Sequence, residues 1–154
     1  VVACAYRSGS NTMTVVKKSR VVQFSCAQMY ELVNDVERYS EFLPYCSASH
    51  VIYRDADMVK ATLVIAAAGM KKSFTTSNHQ QLNKMIEIRL VDGPFKHLQG
   101  FWRFDEVDRG CRIVFDLEFE FAGRMFSMLL GPIFEQITDK MVDAFCMRAE
   151  KLYG

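Results

Sequence analysis

A long block of alternating apolar and polar residues, with helical spacing on either side, sets narrow limits on the fold. The alternation starts after Pro44 and continues for about seventy residues, as in β-strands with one buried face. It is clearest over 111–121, where every second residue from Ile113 to Phe121 is apolar and Asp116 and Glu118 lie on the other side. Helical spacing returns over 124–153. This order favours an α+β domain with helices on one face of an antiparallel sheet.

Length and composition are those of one globular domain. The 154 residues are 50% hydrophobic and 24% charged, which suits a packed domain better than a disordered segment. No apolar run approaches the ~20 residues that cross a bilayer. The net charge of +1 gives no strong field to attract nucleic acid. The small basic groups at 17–20 and at 71–72 are typical of sheet edges, so we expect no DNA partner.

The first residues and the cysteines bear on domain organisation and location. Residues 1–12 show no signal-peptide pattern, and we expect them to be an N-terminal extension, disordered or non-native, ahead of a single domain over 13–154. The five cysteines are scattered and form no C-x-x-C pair. We therefore expect free thiols in a reducing cytoplasm instead of a disulfide framework or a zinc site.

Spacing and turn signals predict the elements of this domain. Strands are expected over 14–24, 45–54, 58–68, 70–79, 82–91, 97–107 and 111–121. Helices are expected over 26–33, 36–42 and 124–153. We expect the last helix to kink or restart at Gly131-Pro132, because proline lacks a backbone N–H.

Local signals define the ends of the two short helices. Ser25 and Gln28 have the spacing of a capping box, which predicts that Ser25 caps the first helix. Asp35 is predicted to cap the second helix. Pro44 ends that helix and biases Leu43 towards an extended backbone. The buried face of the second helix is expected to carry Val36, Tyr39, Phe42 and Leu43.

The segment 33–46, V-N-D-V-E-R-Y-S-E-F-L-P-Y-C, resembles the START-like (helix-grip) family of coenzyme Q-binding proteins and ribosome-association toxins, in the polyketide cyclase/dehydrase superfamily. Further fragments follow in the family order: S-F-T-T at 73–76, L-V-D-G-P-F at 90–95, W-R-F at 102–104, and M-V-D-A-F at 141–145 with Arg148-Ala149. The resemblance covers 14–153, and the toxin branch is the nearer one. Ser40 stands where many relatives have proline.

This resemblance implies a helix-grip fold, with a curved antiparallel sheet of about six to seven strands around a long C-terminal helix and two short helices after the first strand. It also implies an apolar cavity between sheet and helix. Family members bind ubiquinone-like or lipid ligands and support respiration, or, in the toxin branch, bind the large ribosomal subunit and block subunit association. We expect a bound hydrophobic molecule such as ubiquinone, with the large ribosomal subunit as the alternative partner. The expected location is the cytoplasm, with peripheral contact at the inner membrane.

The candidate ligand-binding residues come from the inward faces of the strands, the stripe of the last helix and the corner near Pro44. They are Tyr39, Phe42, Leu43, Leu63, Ile65, Phe74, Ile86, Ile88, Phe95, Trp102, Phe104, Phe115, Leu117, Phe126, Leu130, Ile133, Phe134 and Ile137. For any single one of them, a packed core explains the pattern better. Ala61, Ala67 and Gly100 lie in phase with large neighbours and would leave space for a ligand.

Two apolar groups together are candidates for a lid or entrance. The first is Tyr39, Phe42, Leu43, Pro44 and Tyr45, and the second is Phe95 with 125–130. The second is rich in methionine, which adapts to varied partners, so it suits a ligand opening or a transient membrane contact. A packed corner and a buried helix are the alternatives.

Enzymatic interpretations have less support in the sequence. The three histidines lie on separate predicted strands without metal-ligand spacing, and no glycine-rich phosphate loop occurs. Nothing in the sequence supplies a histidine to activate Cys46. We expect no catalytic residues, no metal and no cofactor beyond a bound quinone. A polyketide cyclase-like enzyme, acting through Cys46, His97 or Asp92, remains the weaker alternative.

Overall fold

The computed structural model describes the backbone of residues 2–7 and all of residues 13–154. Its strands are β1 Val2–Arg7, β2 Thr14–Val22, β3 Cys46–Arg54, β4 Met58–Ala67, β5 Met70–Gln81, β6 Met85–Asp92, β7 Phe95–Val107 and β8 Gly110–Phe121. They form one antiparallel sheet in the order β1-β2-β8-β7-β6-β5-β4-β3. The helices are α1 Cys26–Asn34, a 3₁₀ helix Val36–Glu41, α2 Arg124–Asp139 and α3 Met141–Tyr153. The predicted α+β class and helix-grip arrangement are confirmed.

The N-terminal residues are described only in part. The backbone of β1 pairs with β2 at the sheet edge, from Val2 opposite Ser19 to Arg7 opposite Thr14. Residues 1 and 8–12 lie outside the described residues. The expectation that 1–12 forms an extension ahead of the domain therefore stays a prediction.

The strands of the sheet follow the alternation in the sequence. In β8, the side chains of Ile113, Phe115, Leu117, Phe119 and Phe121 are all buried. One predicted strand start is wrong: Leu82 lies in the β5–β6 turn and is 74% exposed, and β6 begins only at Met85. The turn contains Asn83 at φ 60°, a left-handed conformation that asparagine tolerates and a strand does not.

The capping prediction for α1 is confirmed. The Ser25 hydroxyl accepts a hydrogen bond from the Gln28 backbone N–H at 3.1 Å, and the Gln28 side chain accepts from the Ser25 N–H at 2.9 Å. The capping prediction for Asp35 is wrong, because its side chain makes no cap hydrogen bond. Asp35 is the only residue between α1 and the 3₁₀ helix, and its backbone N–H donates to the Glu31 carbonyl to end α1. Its ψ of 67° is far from the extended conformation that an N-cap side chain needs.

The C-terminal helical region breaks at a different place from the predicted one. The helix α2 runs through Gly131-Pro132 without interruption, so it does not restart there, and the break falls at Lys140. Pro132 removes a single backbone bond, to the carbonyl of Met128, and both residues lie at the surface where solvent can reach that carbonyl. At Lys140, the N–H is shared between the carbonyls of Gln136 and Ile137, which tightens and ends the helix.

The core joins the helices to the sheet through aromatic contacts. Phe145 of α3 is fully buried, and its ring lies 5.1–5.2 Å from the rings of Tyr39, Phe42 and Trp102. These edge-to-face contacts hold α3, the 3₁₀ helix and β7 together. Cys26, Cys46, Cys111 and Cys146 are buried free thiols, as predicted. The side chain of Cys4 lies outside the described part of the chain.

Candidate ligand-binding cavity

An apolar cavity lies between the inward face of the sheet and the helices. The space open to the centre of a water molecule is about 70 Å³. Its wall is formed by Val33, Val36, Tyr39, Leu43, Cys46, Ala61, Leu63, Ile65, Phe74, Thr76, Asn78, Ile86, Ile88, Leu98, Trp102, Phe115, Leu117, Phe134, Ile137, Thr138 and Met141. Ligand pockets typically measure about 300–1,000 Å³. In this conformation the cavity is therefore narrow, and a quinone ring fits only after side chains move apart.

Most of the candidate residues are brought together in this wall. Twelve of them line it: Tyr39, Leu43, Leu63, Ile65, Phe74, Ile86, Ile88, Trp102, Phe115, Leu117, Phe134 and Ile137. Ala61, which the sequence singled out as a small residue in phase with large ones, also lies in the wall. Whether any of these side chains contacts a ligand stays a prediction.

The other six candidates lie outside the wall. Phe104 packs edge to face on Tyr30 of α1 at 5.8 Å, beyond the end of the cavity. Phe42 lies under the Arg148 guanidinium at 5.2 Å, and Phe126 lies under the Lys72 ammonium at 4.8 Å. Ile133 is half-buried and packs against the core. The remaining two, Phe95 and Leu130, line a second and smaller hollow.

This second hollow measures about 10 Å³ and adjoins the main cavity. The two share Ile65, Phe74 and Phe134 in their walls. Its outer wall includes Lys72 and Pro94. The shared side chains thus separate the main cavity from a surface formed by the start of α2 and the nearby turns of the sheet.

Sequence reasoning missed eight residues of the wall: Val33, Val36, Cys46, Thr76, Asn78, Leu98, Thr138 and Met141. For two of them a signal was present. Thr76 and Asn78 follow Phe74 at two-residue steps on β5, and side chains at such steps face the same side of a strand. Because the candidates were selected among apolar residues only, the polar residues on the inward face of β5 were left out.

The fold and this cavity can be compared with known proteins. The model of one protein family, described as polyketide cyclase/dehydrase and lipid transport, matches residues 22–146. The chain belongs to this family. Within the polyketide cyclase/dehydrase and lipid transport family, it is 45% identical to the ribosome association toxin RatA of Vibrio cholerae, over 92% of this chain and 99% of that one. It is 30% identical to the mitochondrial coenzyme Q-binding protein COQ10 homolog B of Xenopus laevis, over 89% of this chain and 58% of that one.

Solved structures show the same fold at lower identity. A START superfamily protein from Mycobacterium smegmatis superposes with a TM-score of 0.69 at 21% identity, over 90% of this chain and 98% of that one. The Zhui aromatase/cyclase from a Streptomyces species superposes with a TM-score of 0.74 at 18% identity, over 90% and 94%. These likenesses establish the START-like fold for this member of the family.

The cavity wall of this family member carries no charged side chain. Burial raises the pKa of the Tyr39 phenol far above its ordinary value, and the phenol donates a hydrogen bond to the Val33 carbonyl. Burial also raises the pKa of the Cys46 thiol. Both groups are neutral at pH 7, so the wall suits an uncharged, largely apolar molecule.

The three candidate catalytic residues, Cys46, His97 and Asp92, do not lie together in one site. Cys46 lies in the cavity wall, while Nε2 of His97 lies 2.9 Å from Glu118 on the solvent face of the sheet. Asp92 is exposed at the end of β6. Within residues 13–154, no group of three or more histidine, cysteine or carboxylate side chains is arranged to hold a metal ion. In the described part of the chain, no helix is long and apolar enough to span a membrane.

Proposed function

We propose that this protein binds an uncharged hydrophobic molecule of the ubiquinone or lipid kind in the cavity, without catalysing a reaction on it, and thereby supports respiration. The observation that carries the proposal is a cavity wall of mainly apolar side chains without one charge. The relative from Xenopus laevis, named as a coenzyme Q-binding protein, supports the quinone as the ligand. The similarity to the Zhui aromatase/cyclase is a similarity of fold only, so it does not support a catalysed reaction for this protein.

The energetics of such binding depend on opening the cavity. Each CH₂ group of a ligand tail that leaves water contributes about 0.8 kcal/mol. A tail of several isoprenoid units therefore offsets the cost of separating packed side chains around a narrow hollow. Binding then needs no charged anchor, in keeping with the uncharged wall.

Organic extraction of the purified protein followed by mass spectrometry tests this function. The proposal expects a quinone or lipid in near-stoichiometric amount, and none from the same amount of an unrelated protein purified in parallel. Protein that carries no such molecule, and that takes none up from short-chain ubiquinone in solution, contradicts it.

A second candidate function is association with the large ribosomal subunit as a toxin that blocks subunit association. It is supported by the 45% identity to a ribosome association toxin, which spans 99% of that relative's length. Sucrose-gradient sedimentation with purified subunits tests it. Co-migration with the large subunit, and a loss of 70S particles as protein is added, supports this function. Protein that stays at the top of the gradient at low salt contradicts it.

We further propose that the start of α2 touches a membrane surface while a ligand passes. Met125, Met128 and Leu129 are 67%, 73% and 46% exposed there, and Arg124 and Lys72 lie close by. An apolar patch with basic neighbours suits an anionic lipid surface.

Flotation with phosphatidylglycerol-rich vesicles tests this contact. Met125→Asp and Met128→Asp should abolish the vesicle-bound fraction. Met147→Asp, a change at an equally exposed methionine of α3, should leave it unchanged. Equal binding by all three variants contradicts the contact.

A further inference from the structure

Asn78 is a polar residue on the apolar side of the sheet. It lies on β5 between Val59 of β4 and Ile88 of β6, its register partners on either side. It shares the inward face of β5 with Phe74 and lines the cavity. An amide in this position loses water on one side and needs a hydrogen-bond partner in return.

The other polar side chains of the wall already have partners within the protein. The Thr138 hydroxyl donates to the Phe134 carbonyl at 3.0 Å, and the Tyr39 phenol donates to the Val33 carbonyl. The Cys46 thiol is directed to the Ala48 carbonyl at 3.5 Å. These three groups therefore use their hydrogen-bond donors within the protein.

The amide of Asn78 is satisfied on one atom only. Its Oδ1 accepts a hydrogen bond from the Thr76 hydroxyl at 3.0 Å. Among residues 13–154, no other group forms a hydrogen bond with this side chain, which leaves both hydrogens of Nδ2 free. Gln80 lies two residues further on the same face. Its side-chain amide donates a hydrogen bond to Asn34 and not to Asn78.

The geometry points to Asn78 as the residue that orients the ligand, with its Nδ2 donating a hydrogen bond to a carbonyl oxygen of a hydrophobic molecule. This inference rests on the proposed binding function and adds the chemical class of the ligand to it. The ligand carries at least one carbonyl-type acceptor on an otherwise apolar body, as a quinone ring does. A pure hydrocarbon of the same shape leaves the amide unpaired.

Two small probes of the same shape separate the hydrogen bond from apolar burial. Duroquinone is a benzene ring with four methyl groups and two carbonyls, and durene is the same methylated ring without the carbonyls. The ring carbons of duroquinone are all substituted, which limits addition of the Cys46 thiol. Titration calorimetry with each probe gives the two Kd values and their ratio for the wild-type chain. Water solvates the two carbonyls of duroquinone and not the hydrocarbon durene, so the wild-type ratio of the two Kd values serves as the reference against which the variants are compared.

Substitution of Asn78 then assigns that selectivity to one residue. Asn78→Leu keeps a side chain of similar shape and removes the donor, and Asn78→Ala serves if leucine fills the cavity. In either variant we expect the affinity for duroquinone relative to durene to fall about fivefold to tenfold below the wild-type ratio, the effect of one hydrogen bond in an apolar site. Ser77→Ala is the matched control, because Ser77 is the next residue on β5 and is bonded instead to His79, at 3.0 Å. It should keep the wild-type ratio.

The outcomes distinguish the two proposals. If the wild-type chain binds neither probe, the proposed binding function fails. If it binds both probes and the Asn78 variants keep the wild-type ratio of Kd values, the binding function stands and the role of Asn78 is overturned. An equal change of this ratio in Ser77→Ala also overturns it, because the effect then belongs to the strand and not to the amide.

Discussion

The rings of Phe74 on β5 and Phe134 on α2 meet edge to face with centroids 5.7 Å apart, at the boundary between the main cavity and the small outer hollow. Phe134 also lies 4.8 Å from Phe119 and 5.1 Å from Phe95. Both rings line both hollows, so the pair separates the main cavity from the outer hollow. We expect a ligand that enters from the side of α2 to displace this pair.

Replacing Phe134 should both lower the stability of the protein and speed ligand entry from the side of α2. Phe134→Ala removes a buried ring with several aromatic partners, so we expect the free energy of unfolding to fall by about 3–5 kcal/mol. Urea titration measures this loss, and stopped-flow mixing with short-chain ubiquinone should show faster entry. Met128→Ala, at a residue 73% exposed on the same helix, should change stability by less than about 0.5 kcal/mol. Equal losses in the two variants would contradict the role of Phe134.

Tyr39 should contribute stability through its hydroxyl as well as its ring. The phenol ties the 3₁₀ helix to the Val33 carbonyl at the end of α1, and Tyr39 is only 6% exposed. Tyr39→Phe leaves that buried carbonyl without its donor, so we expect a loss of about 1–2 kcal/mol in urea titration. Tyr45→Phe, at a residue 43% exposed, should have no measurable effect. A silent Tyr39→Phe would show that the hydroxyl contributes nothing.

The pH dependence of stability should contain a contribution from Glu118. Its hydrogen bond with His97 lowers the pKa of the Glu118 carboxyl, and desolvation opposes this only in part. A lowered folded-state pKa stabilises the fold fully above the ordinary value of 4.5 and loses that effect as pH falls through the lowered value.

We expect Glu118→Gln to be less stable than the wild type at pH 6–7, by less than about 1 kcal/mol because the pair is partly exposed. The difference should vanish in acid. Thermal unfolding at a series of pH values measures it, with Glu106→Gln as an exposed control on β7. A difference that grows as pH falls would contradict the assignment.

The ion pair between Lys18 of β2 and Asp139 at the end of α2 should respond unequally to changes in its two members. Their charged atoms lie 3.0 Å apart, and the side chain of Lys18 is 8% exposed while that of Asp139 is 44% exposed. Asp139→Asn leaves a buried charge unpaired and should cost about 1–3 kcal/mol, whereas Lys18→Met leaves an exposed carboxylate and should cost less. Urea titration compares the two. Glu87→Gln, in the exposed pair with Arg89, should stay within about 0.5 kcal/mol.

The sheet could be predicted from sequence because its two faces differ so strongly. In β8, the apolar residues from Ile113 to Phe121 alternate with Val114 and three carboxylates, and only one register buries the apolar set. The capping box of Ser25 and Gln28 could also be predicted, because both of its hydrogen bonds form within four residues of chain.

Features that depend on distant neighbours could not be predicted in this way. Pro132 does not break α2. Leu130 and Phe134 pack on the sheet and keep the helix continuous, although one backbone hydrogen bond is missing. Phe104 has the same inward phase as Trp102, yet α1 covers it and only Trp102 reaches the cavity. Alternation defines which face a residue occupies, and the placement of helices over that face decides whether it lines a hollow.

Fluorescence of Trp102 during titration with short-chain ubiquinone tests the central claim most directly. Trp102 is the single tryptophan of the chain, is 2% exposed and lies in the cavity wall, with its ring tilted against that of Phe115 at a centroid distance of 4.4 Å. We predict saturable quenching that is lost in Ala61→Phe, which fills the cavity, and kept in Ala66→Phe, on the opposite face of β4. Quenching that never saturates, or that is identical in all three proteins, would contradict a ligand-binding cavity.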